Sequence, residues 1–300
     1  MFYEIKYKNN AGEEVHFKAE KKGNLFVAPD EPSIPSSGNP YRLMMFEGLG
    51  EVAAEIHLSK SFAQDGSTHS STVLSERHPY LQFVLVGKDW EDLSRIRRQA
   101  TRVFNPKSKG ILEFSYGANT YVLKVIPESL PVYSQEDTSG KTQVASVSLV
   151  APDPYWQNET MKEIEMVTLT GGFTFPLSLP TQMALEGEKI KLVINNGDVD
   201  TPIILEIVGK ATNPKITNLI TGEFIKVNRT LQDGDKLIIS TEFGNKKVEL
   251  NGISVFNYID LESTFFSLGV GDNLIELTTD DIGGDNANIK LKYYNRYLGV

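Results

Sequence analysis

The sequence predicts a mainly β protein with two domains: an N-terminal β-sandwich-like domain with one α-helix and several β-hairpins, and a C-terminal β-sandwich or jelly roll. In the first half, short runs of alternating apolar residues surround a single segment of helical periodicity. In the second half, strand-like runs recur with Asn-Gly, Asp-Gly or Gly-Asp signals between them. Pro152 and Pro154 follow a strand-like run at 144–150 and should stop it. We therefore expect domains at residues 1–157 and 158–300.

The N-terminal strands are predicted from alternation and turn residues. Tyr3, Ile5 and Tyr7 alternate with polar residues, and Val15 and Phe17 resume the pattern after a turn, which indicates a hairpin. The further strands predicted in this half cover residues 80–86, 111–116, 121–126 and 142–150.

One amphipathic helix is predicted directly after the strand at 80–86. Asp89 is the expected N-cap, and Asp92 favours the positive end of the helix. Asn105-Pro106 ends the helix. The apolar stripe consists of Trp90, Leu93, Ile96, Ala100, Val103 and Phe104.

Arginines follow one side of this helix at i, i+3 and i+7, namely Arg95, Arg98 and Arg102. Glu91 lies four residues before Arg95, which predicts an intrahelical pair. Residues 1–157 carry 17 basic and 19 acidic side chains, too little positive charge for a nucleic-acid reader. The arginines are therefore expected on a solvated face or at a protein contact.

The C-terminal half is predicted as strands throughout and is acidic. Its 13 basic and 20 acidic side chains argue against nucleic-acid binding. Its aromatic residues offer sugar-stacking surfaces, but both tryptophans, Trp90 and Trp156, precede residue 158, so core packing is favoured. The predicted strands cover residues 190–194, 202–208, 236–240, 247–250, 273–277 and 288–293.

The candidate cofactor and metal motifs lack the flanking structure or ligand order that such sites require. Residues 48–53 fit the loose pattern G-x-G-x-x-A, but a polar loop, Ser59 to His78, follows in place of a helix. The acidic stretch with Asp280, Asp281, Asp285 and Asn286 lacks the order of a calcium loop. We expect an acidic hairpin loop there, and neither a cofactor nor a metal.

Catalytic residues are not predicted either. His16, His57, His69 and His78 match no zinc spacing, and no nucleophile elbow accompanies them, so solvated loop histidines are expected. The chain has no cysteine and no apolar leader or membrane span, which predicts a soluble protein of a reducing cytoplasm. The protein is therefore expected not to be an enzyme.

Four stretches, in one order, resemble the distal tail protein family of siphophages that infect Gram-positive bacteria. They are Gly48-Leu49-Gly50, "QDGST" at 64–68, "LQFVLVG" running into a helix that ends in "RVFNPKSKG", and "VAPDPYWQ" at 150–157. The C-terminal half is similar to the sandwich that follows in this family. Its likest parts are "FIKVNRTLQDGDKLIISTEFGNKKVELNG" and "YYNRYLGV".

The resemblance implies a structural protein of a siphophage or prophage tail. N-terminal domains of this family form a six-membered ring at the tip of the tail tube, and their galectin-like or carbohydrate-binding-module-like sandwiches point outward. The ring joins the tail tube protein to the tail-tip or baseplate proteins, and DNA only passes through its lumen. The implied place is the virion tail, assembled in the host bacterial cytoplasm, with no membrane partner. The alternative is a carbohydrate-binding adhesion module that contacts the host cell wall.

Two sets of residues are expected to matter for such a ring. The segment Ser59 to His78 is too long for an ordinary connection and is expected to reach a neighbouring subunit. Its Asp65 and Glu76 would then pair with Arg95, Arg98 and Arg102 of the neighbour. At the domain exit, Pro152 and Pro154 are expected to fix the departure of the chain. Tyr155 and Trp156 would pack against the N-terminal domain.

Overall fold

The computed structural model describes residues 2–22, 25–27, 39–134, 141–167, 169–170, 185–186, 190–280 and 287–300. The chain divides into two compact units. Unit 1 comprises Met1–Glu159 together with Tyr297–Val300, and unit 2 comprises Thr160–Arg296. The return of residues 297–300 to the first unit was not foreseen by the boundary drawn at residue 157. Within the described ranges, no helix has the length and apolar character needed to cross a membrane.

Unit 1 contains the strands predicted for the N-terminal half of the sequence and the predicted helix. Its strands are β1 Phe2–Asn9, β2 Glu14–Lys22, β3 Leu25–Val27, β4 Tyr41–Glu47, β5 Ala54–Ser59, β6 Thr68–Leu74, β7 Tyr80–Val86, β8 Gly110–Tyr116, β9 Asn119–Pro127, β10 Val132–Tyr133, β11 Thr142–Val150 and β12 Trp156–Asn158. The helix, α1, spans Trp90–Val103.

The main sheet of unit 1 is antiparallel and has the strand order β3-β2-β1-β8-β9-β11-β7-β4. Strand β10 pairs with β11, and β12 pairs with β9. The predicted alternation holds: Ile5, Tyr7 and Phe17 are fully buried in the core. The pairing Ile5 with Phe17 places both on the same face, as the hairpin prediction requires.

Helix α1 packs its apolar stripe into this core. Leu93, Ile96, Ala100 and Val103 are buried, and the Asp89 side chain accepts a hydrogen bond of 2.8 Å from the Asp92 N–H, which confirms the predicted N-cap. The prediction for Trp90 is wrong, because this ring is 66% exposed. Trp90 is the first helical residue and precedes the turns that pack against the sheet.

Unit 2 contains two larger antiparallel sheets and several two-stranded pairs. Its strands are β13 Lys162–Val167, β14 Leu169–Thr170, β15 Leu185–Glu186, β16 Ile190–Asn195, β17 Thr201–Pro202, β18 Ile204–Val208, β19 Ala211–Thr212, β20 Lys215–Asn218, β21 Phe224–Lys226, β22 Thr230–Leu231, β23 Lys236–Ser240, β24 Lys247–Leu250, β25 Ile253–Ser254, β26 Ser267–Leu268, β27 Gly271–Thr278 and β28 Asn288–Tyr293. One 3-10 turn covers Phe256–Tyr258.

The two larger sheets of unit 2 share one hydrophobic core. Their strand orders are β13-β28-β18-β23-β24-β25 and β16-β27-β20-β21. Leu205 and Ile289 of the first sheet and Ile216 and Ile275 of the second are fully buried in the same cluster. This arrangement of alternating inward side chains confirms the mainly β class with a C-terminal sandwich. A last strand, β29 Arg296–Tyr297, pairs with β12 of unit 1.

Candidate assembly site

The segment predicted as a polar loop is a β-hairpin. Strands β5 and β6 pair with each other in antiparallel register, and in the described part of the chain they join no other sheet. We call residues 54–74 the arm. Its ends lie together, because the Ser75 N–H donates to the Ala53 carbonyl at 2.9 Å. The loop prediction for Ser59 to His78 is wrong because this segment contains β6, which is polar apart from Val73 and Leu74 and so shows no two-residue apolar period.

The arm exposes apolar side chains that nothing described in the chain covers. Ile56 is 60% exposed, Leu58 59%, Val73 55% and Phe62, at the tip, 103%. An isolated two-stranded hairpin is marginally stable in water, and exposed apolar surface of this kind marks a protein contact. The arm is therefore the strongest candidate for a contact with another chain.

The predicted interface residues occupy two separate places in unit 1. Asp65 is exposed at the arm tip. Glu76 lies beyond the arm, with a carboxylate oxygen 3.7 Å from His78 Nε2. On α1, Arg95 pairs with Asp92 at 2.5 Å, so the pair predicted with Glu91 is wrong. Within this chain the structure does not bring Asp65 or Glu76 onto the arginines.

The remaining helix arginines differ in their surroundings. Arg102 pairs with Glu13 through its Nε at 2.7 Å, and its side chain is 69% exposed. Arg97, which was not among the predicted interface residues, lies over the Tyr133 ring at 4.7 Å. Arg98 is exposed and makes no hydrogen bond or ion pair with the residues that the structure describes. Exposed pairs contribute little stability, so these arginines remain available to a partner.

A cavity of about 400 Å³ lies between β4 and α1. Pro40, Tyr41, Arg95, Ile96 and Gln99 are among its lining residues. Tyr41 is 5% exposed, and among the described residues its hydroxyl has no hydrogen-bond partner. Burial raises the pKa of Tyr41 to about 12, so the hydroxyl is a neutral donor without an acceptor.

Arg77, which the sequence did not single out, connects three segments of unit 1. The residue is 1% exposed, and its guanidinium donates to the carbonyls of Pro154 at 2.7 Å, Gly48 at 2.8 Å and Leu298 at 2.5 Å. Burial lowers the pKa of Arg77, whereas the nearby Glu51 carboxylate raises it. The buried Arg77 guanidinium thus links three segments: the loop at Gly48, the domain exit at Pro154 and residues 297–300.

The loop at 48–51, which fits a loose dinucleotide pattern, is part of this arrangement. Gly48 has φ +106, and a Cβ there would lie 2.8 Å from the Pro79 Cα, so this position requires glycine. The Gly48 N–H donates to the Glu51 carboxylate at 2.9 Å. Backbone N–H groups of Glu51, Gly48 and Gly50 lower the pKa of this carboxyl, and the charge of Arg77 lowers it further. Strand β5 follows the loop, so no helix end is aimed at a phosphate.

The domain-exit residues lie against unit 1. Strand β11 ends at Val150, before Pro152 and Pro154. The Pro154 carbonyl accepts from Arg77, and Trp156 is fully buried beside Phe114, with ring centroids 6.3 Å apart. Tyr155 is half-buried. The chain rejoins the sheet after the prolines, where Trp156–Asn158 pairs with β9.

The histidines lie mostly on strands and not in loops. His16 is on β2, His57 on β5 and His69 on β6, where its Nε2 lies 2.8 Å from Thr72 Oγ1. His78 contacts Glu128, with Nδ1 to Oε1 at 2.7 Å. Asp280 accepts from Asn213 at 2.8 Å, while Asp281, Asp285 and Asn286 lie outside the described residues. Among described residues, no group of acidic, histidine or cysteine side chains is arranged to hold a metal.

The aromatic residues of unit 2 divide into covered and exposed rings. Arg229 covers the Tyr258 ring at 4.6 Å, and Lys246 lies 5.6 Å from the Phe265 ring. Phe256 stacks on Phe265 at 5.6 Å but is 48% exposed, and Phe243 is 98% exposed. Phe173 and Phe175 lie outside the described residues.

Comparison with known proteins agrees with this architecture. Residues 196–297 match the family model of the siphovirus-type tail component, C-terminal domain. A search of curated proteins found no match. These residues lie almost wholly in unit 2, which is therefore similar in sequence to the C-terminal domain of siphovirus-type tail components.

Solved structures extend the likeness to the whole chain. The Dit protein of phage SPP1, described as a paradigm of the hub adsorption apparatus in phages infecting Gram-positive bacteria, has a TM-score of 0.65 and 12% identity and covers 97% of this chain and 98% of its own. A chain of the phage P2 baseplate in its activated conformation with Ca has a TM-score of 0.55 and 10% identity, over 100% of both chains. The resemblance to the siphophage distal tail protein family is thereby confirmed, by sequence in unit 2 and by fold over the whole chain.

Proposed function

We propose that the protein is a structural hub of a siphophage tail, in which copies close into a ring and join the tail tube to the tail-tip or baseplate proteins. The observation that carries this proposal is the arm. It projects apolar side chains on a hairpin that unit 1 does not use for its own core. A second copy of the chain is the partner that the proposal assigns to it.

Ring closure requires one patch of the chain to meet a different patch on the next copy. Such a heterologous contact closes when the rotation between neighbours divides a full turn. The arm supplies the first patch, and the arginine face of α1 with the adjacent cavity supplies the second. Covering Ile56, Leu58 and Phe62 on a neighbour would remove their apolar surface from water, which favours association.

The finer features of the proposal rest on the family resemblance. They are six copies per ring, contacts with the tail tube protein and the tail-tip or baseplate proteins, DNA passing through the lumen, and assembly in the host cytoplasm before incorporation into the virion tail. The role is structural, without catalysis. Replacing His69 and His78 by alanine should accordingly leave assembly unchanged, and a hydrolase activity lost with either histidine would contradict it.

The decisive measurement is the solution mass of the purified chain across concentration. We expect a discrete species of six times the chain mass, visible as rings by electron microscopy. A chain without the arm is the matched control and should remain monomeric. A wild-type chain that stays monomeric at every concentration would show that closure, if it occurs, needs a tail partner, and would remove self-assembly from the proposal.

A second candidate function is adhesion to wall polysaccharide through unit 2. The exposed rings of Phe243 and Phe256 favour it, since aromatic faces stack on sugars. The cations over Tyr258 and Phe265 occupy ring faces that a sugar would need. Sedimentation of the full chain with purified wall polysaccharide tests this function. Binding that is lost in a Phe243→Ala, Phe256→Ala variant would support adhesion, and the absence of binding would leave the hub alone.

A further inference from the structure

We propose that the arm tip of one copy inserts Phe62 into the cavity between β4 and α1 of the next copy, and that Asp65 of the tip pairs there with Arg95. This inference rests on the proposed ring and names the contact that closes it. It assigns a role to a fully exposed aromatic ring and to a cavity that the fold of a single chain leaves unfilled.

Hydrogen bonds within the arm tip hold it in one conformation. The Gln64 N–H donates to the Ser61 carbonyl, and the Gln64 side chain accepts from the Ser61 N–H at 3.0 Å and donates to Thr68 Oγ1 at 3.2 Å. Ala63 has φ 61, a left-handed conformation that is costly for a residue with a Cβ. Such strain is retained where the backbone must hold a side chain in a set position. Here it presents Phe62, 103% exposed, beyond the end of the hairpin.

The cavity fits an aromatic ring with one acceptor beside it. A cavity of about 150 Å³ already holds benzene, and this one has about 400 Å³. Its lining is mixed: Pro40 and Ile96 contribute apolar atoms, and the polar and charged residues include Lys88, Asp92 and Arg95.

Opposite charges on the arm tip and on α1 favour this contact. Asp65 is exposed and has no ion pair with the described residues, whereas Arg95 of α1 lines the cavity beside Asp92. Arg95 is 71% exposed and is held only by the surface pair with Asp92, so a carboxylate arriving from a neighbour competes on equal terms. Once Phe62 excludes water, a pair between Asp65 and Arg95 gains strength from the lower dielectric.

The absence of cysteine from the chain permits a clean crosslinking test. The test variant keeps Phe62 and carries Ser61→Cys, at the exposed neighbour of Phe62 in the tip, with Gln99→Cys, a half-buried residue of the cavity. The matched control carries Ser61→Cys with Lys107→Cys, an exposed residue beyond the end of α1. After mild oxidation we expect a ladder of covalent multimers, up to the closed ring, for the test variant only.

The outcomes separate this contact from the proposed ring itself. Rings of unchanged mass without crosslinks in the test variant, or with equal crosslinks in the control, would overturn the contact and leave the hub standing. A wild-type chain that stays monomeric at every concentration, together with a test variant that gives no crosslinks, would overturn both. The Ser61→Cys variant alone should give at most a dimer, because one thiol per chain cannot extend a ladder.

Charge reversal provides a second measurement that does not depend on thiols. Asp65→Arg and Arg95→Asp, each alone, should raise the concentration for half-assembly by about 30-fold, the effect of losing one strong interface contact. The double variant should recover most of that loss, because the pair is restored with exchanged signs. Two single variants that assemble normally, or a double variant no better than either, would contradict the pair.

Discussion

Arg77 shows how one residue can hold distant parts of the chain together. Its guanidinium is buried and donates to three backbone carbonyls, one of them more than 200 positions away in the sequence. Nothing in the stretch "SERHPY" distinguishes this arginine from a surface residue. Its role depends on contacts far apart in sequence, which no local period or motif encodes.

Replacing Arg77 by methionine should lower the free energy of unfolding of unit 1 by about 2–5 kcal/mol, since it leaves two buried carbonyls and the partly buried Leu298 carbonyl without their donor. Both tryptophans lie in unit 1, so tryptophan fluorescence in urea reports this unit. Lys107→Met, at an exposed position, is the control and should stay within about 0.5 kcal/mol of wild type. If the two variants were equally stable, Arg77 would not contribute to the stability of unit 1.

Tyr7 is a buried residue whose hydroxyl, without a hydrogen-bond partner among the described residues, lowers the stability of the folded state. Its ring stacks on Phe104 at 4.5 Å, and its hydroxyl has no partner in the described ranges. Burial raises the pKa of Tyr7 to about 12 from the ordinary 10.0. The folded state thus keeps its proton where the unfolded chain loses it. Its contribution to stability is therefore fully present below pH 10 and is lost as the pH rises towards 12.

Tyr7→Phe should keep or raise the stability of unit 1 at neutral pH, by up to about 1–3 kcal/mol, because an unsatisfied buried hydroxyl is removed. The variant should also lose less stability than wild type between pH 10 and 12. Urea unfolding followed at pH 8 and at pH 11 checks both effects. A variant that is destabilised at pH 8 would indicate that the hydroxyl has a partner.

At the scale of secondary-structure elements, the sequence predicted the helix and the strands that bury one face in a core. Helix α1 was predicted with its cap and stripe because Leu93, Ile96 and Ala100 alternate with charged residues. The arm was missed because Ile56, Leu58 and Val73 stand among serines, threonines and histidines, with no face reserved for a core. The link between the glycine loop and Arg77 was also not predicted, because it depends on tertiary contacts.

Removing the arm should separate assembly from folding. A short Gly-Ser-Gly link in place of residues 54–74 closes easily, because Ala53 and Ser75 are already hydrogen-bonded at 2.9 Å. The deleted segment lies outside the core of unit 1, so tryptophan fluorescence should show unfolding within about 1 kcal/mol of wild type. Light scattering should show the ring lost. A ring of the reduced mass expected from the deletion would show that the arm is not the clasp.

At the scale of the whole molecule, unit 2 is an insertion into unit 1. The chain leaves unit 1 after Glu159 and returns at Tyr297. The Tyr297 ring meets Tyr121 edge-on at 5.3 Å, and its hydroxyl donates to Asn158 at 3.1 Å. The boundary predicted at residue 157 contains no return of the chain to unit 1, because residues 294–300, "YNRYLGV", carry no signal of the unit to which they attach.

Deleting residues 297–300 should therefore destabilise unit 1, although these residues follow unit 2 in the sequence. The deletion removes the Leu298 carbonyl from Arg77 and the Tyr297 contacts, so we expect a loss of about 2–4 kcal/mol in the tryptophan-detected unfolding of unit 1. The calorimetric transition of unit 2 should stay at the wild-type temperature.

In an Arg77→Met background the same deletion should lower the stability of unit 1 by less, because the two changes remove a shared contact and are not additive. A deletion that shifts only the unit 2 transition, or that adds fully to Arg77→Met, would show that residues 297–300 do not act through the Arg77 guanidinium.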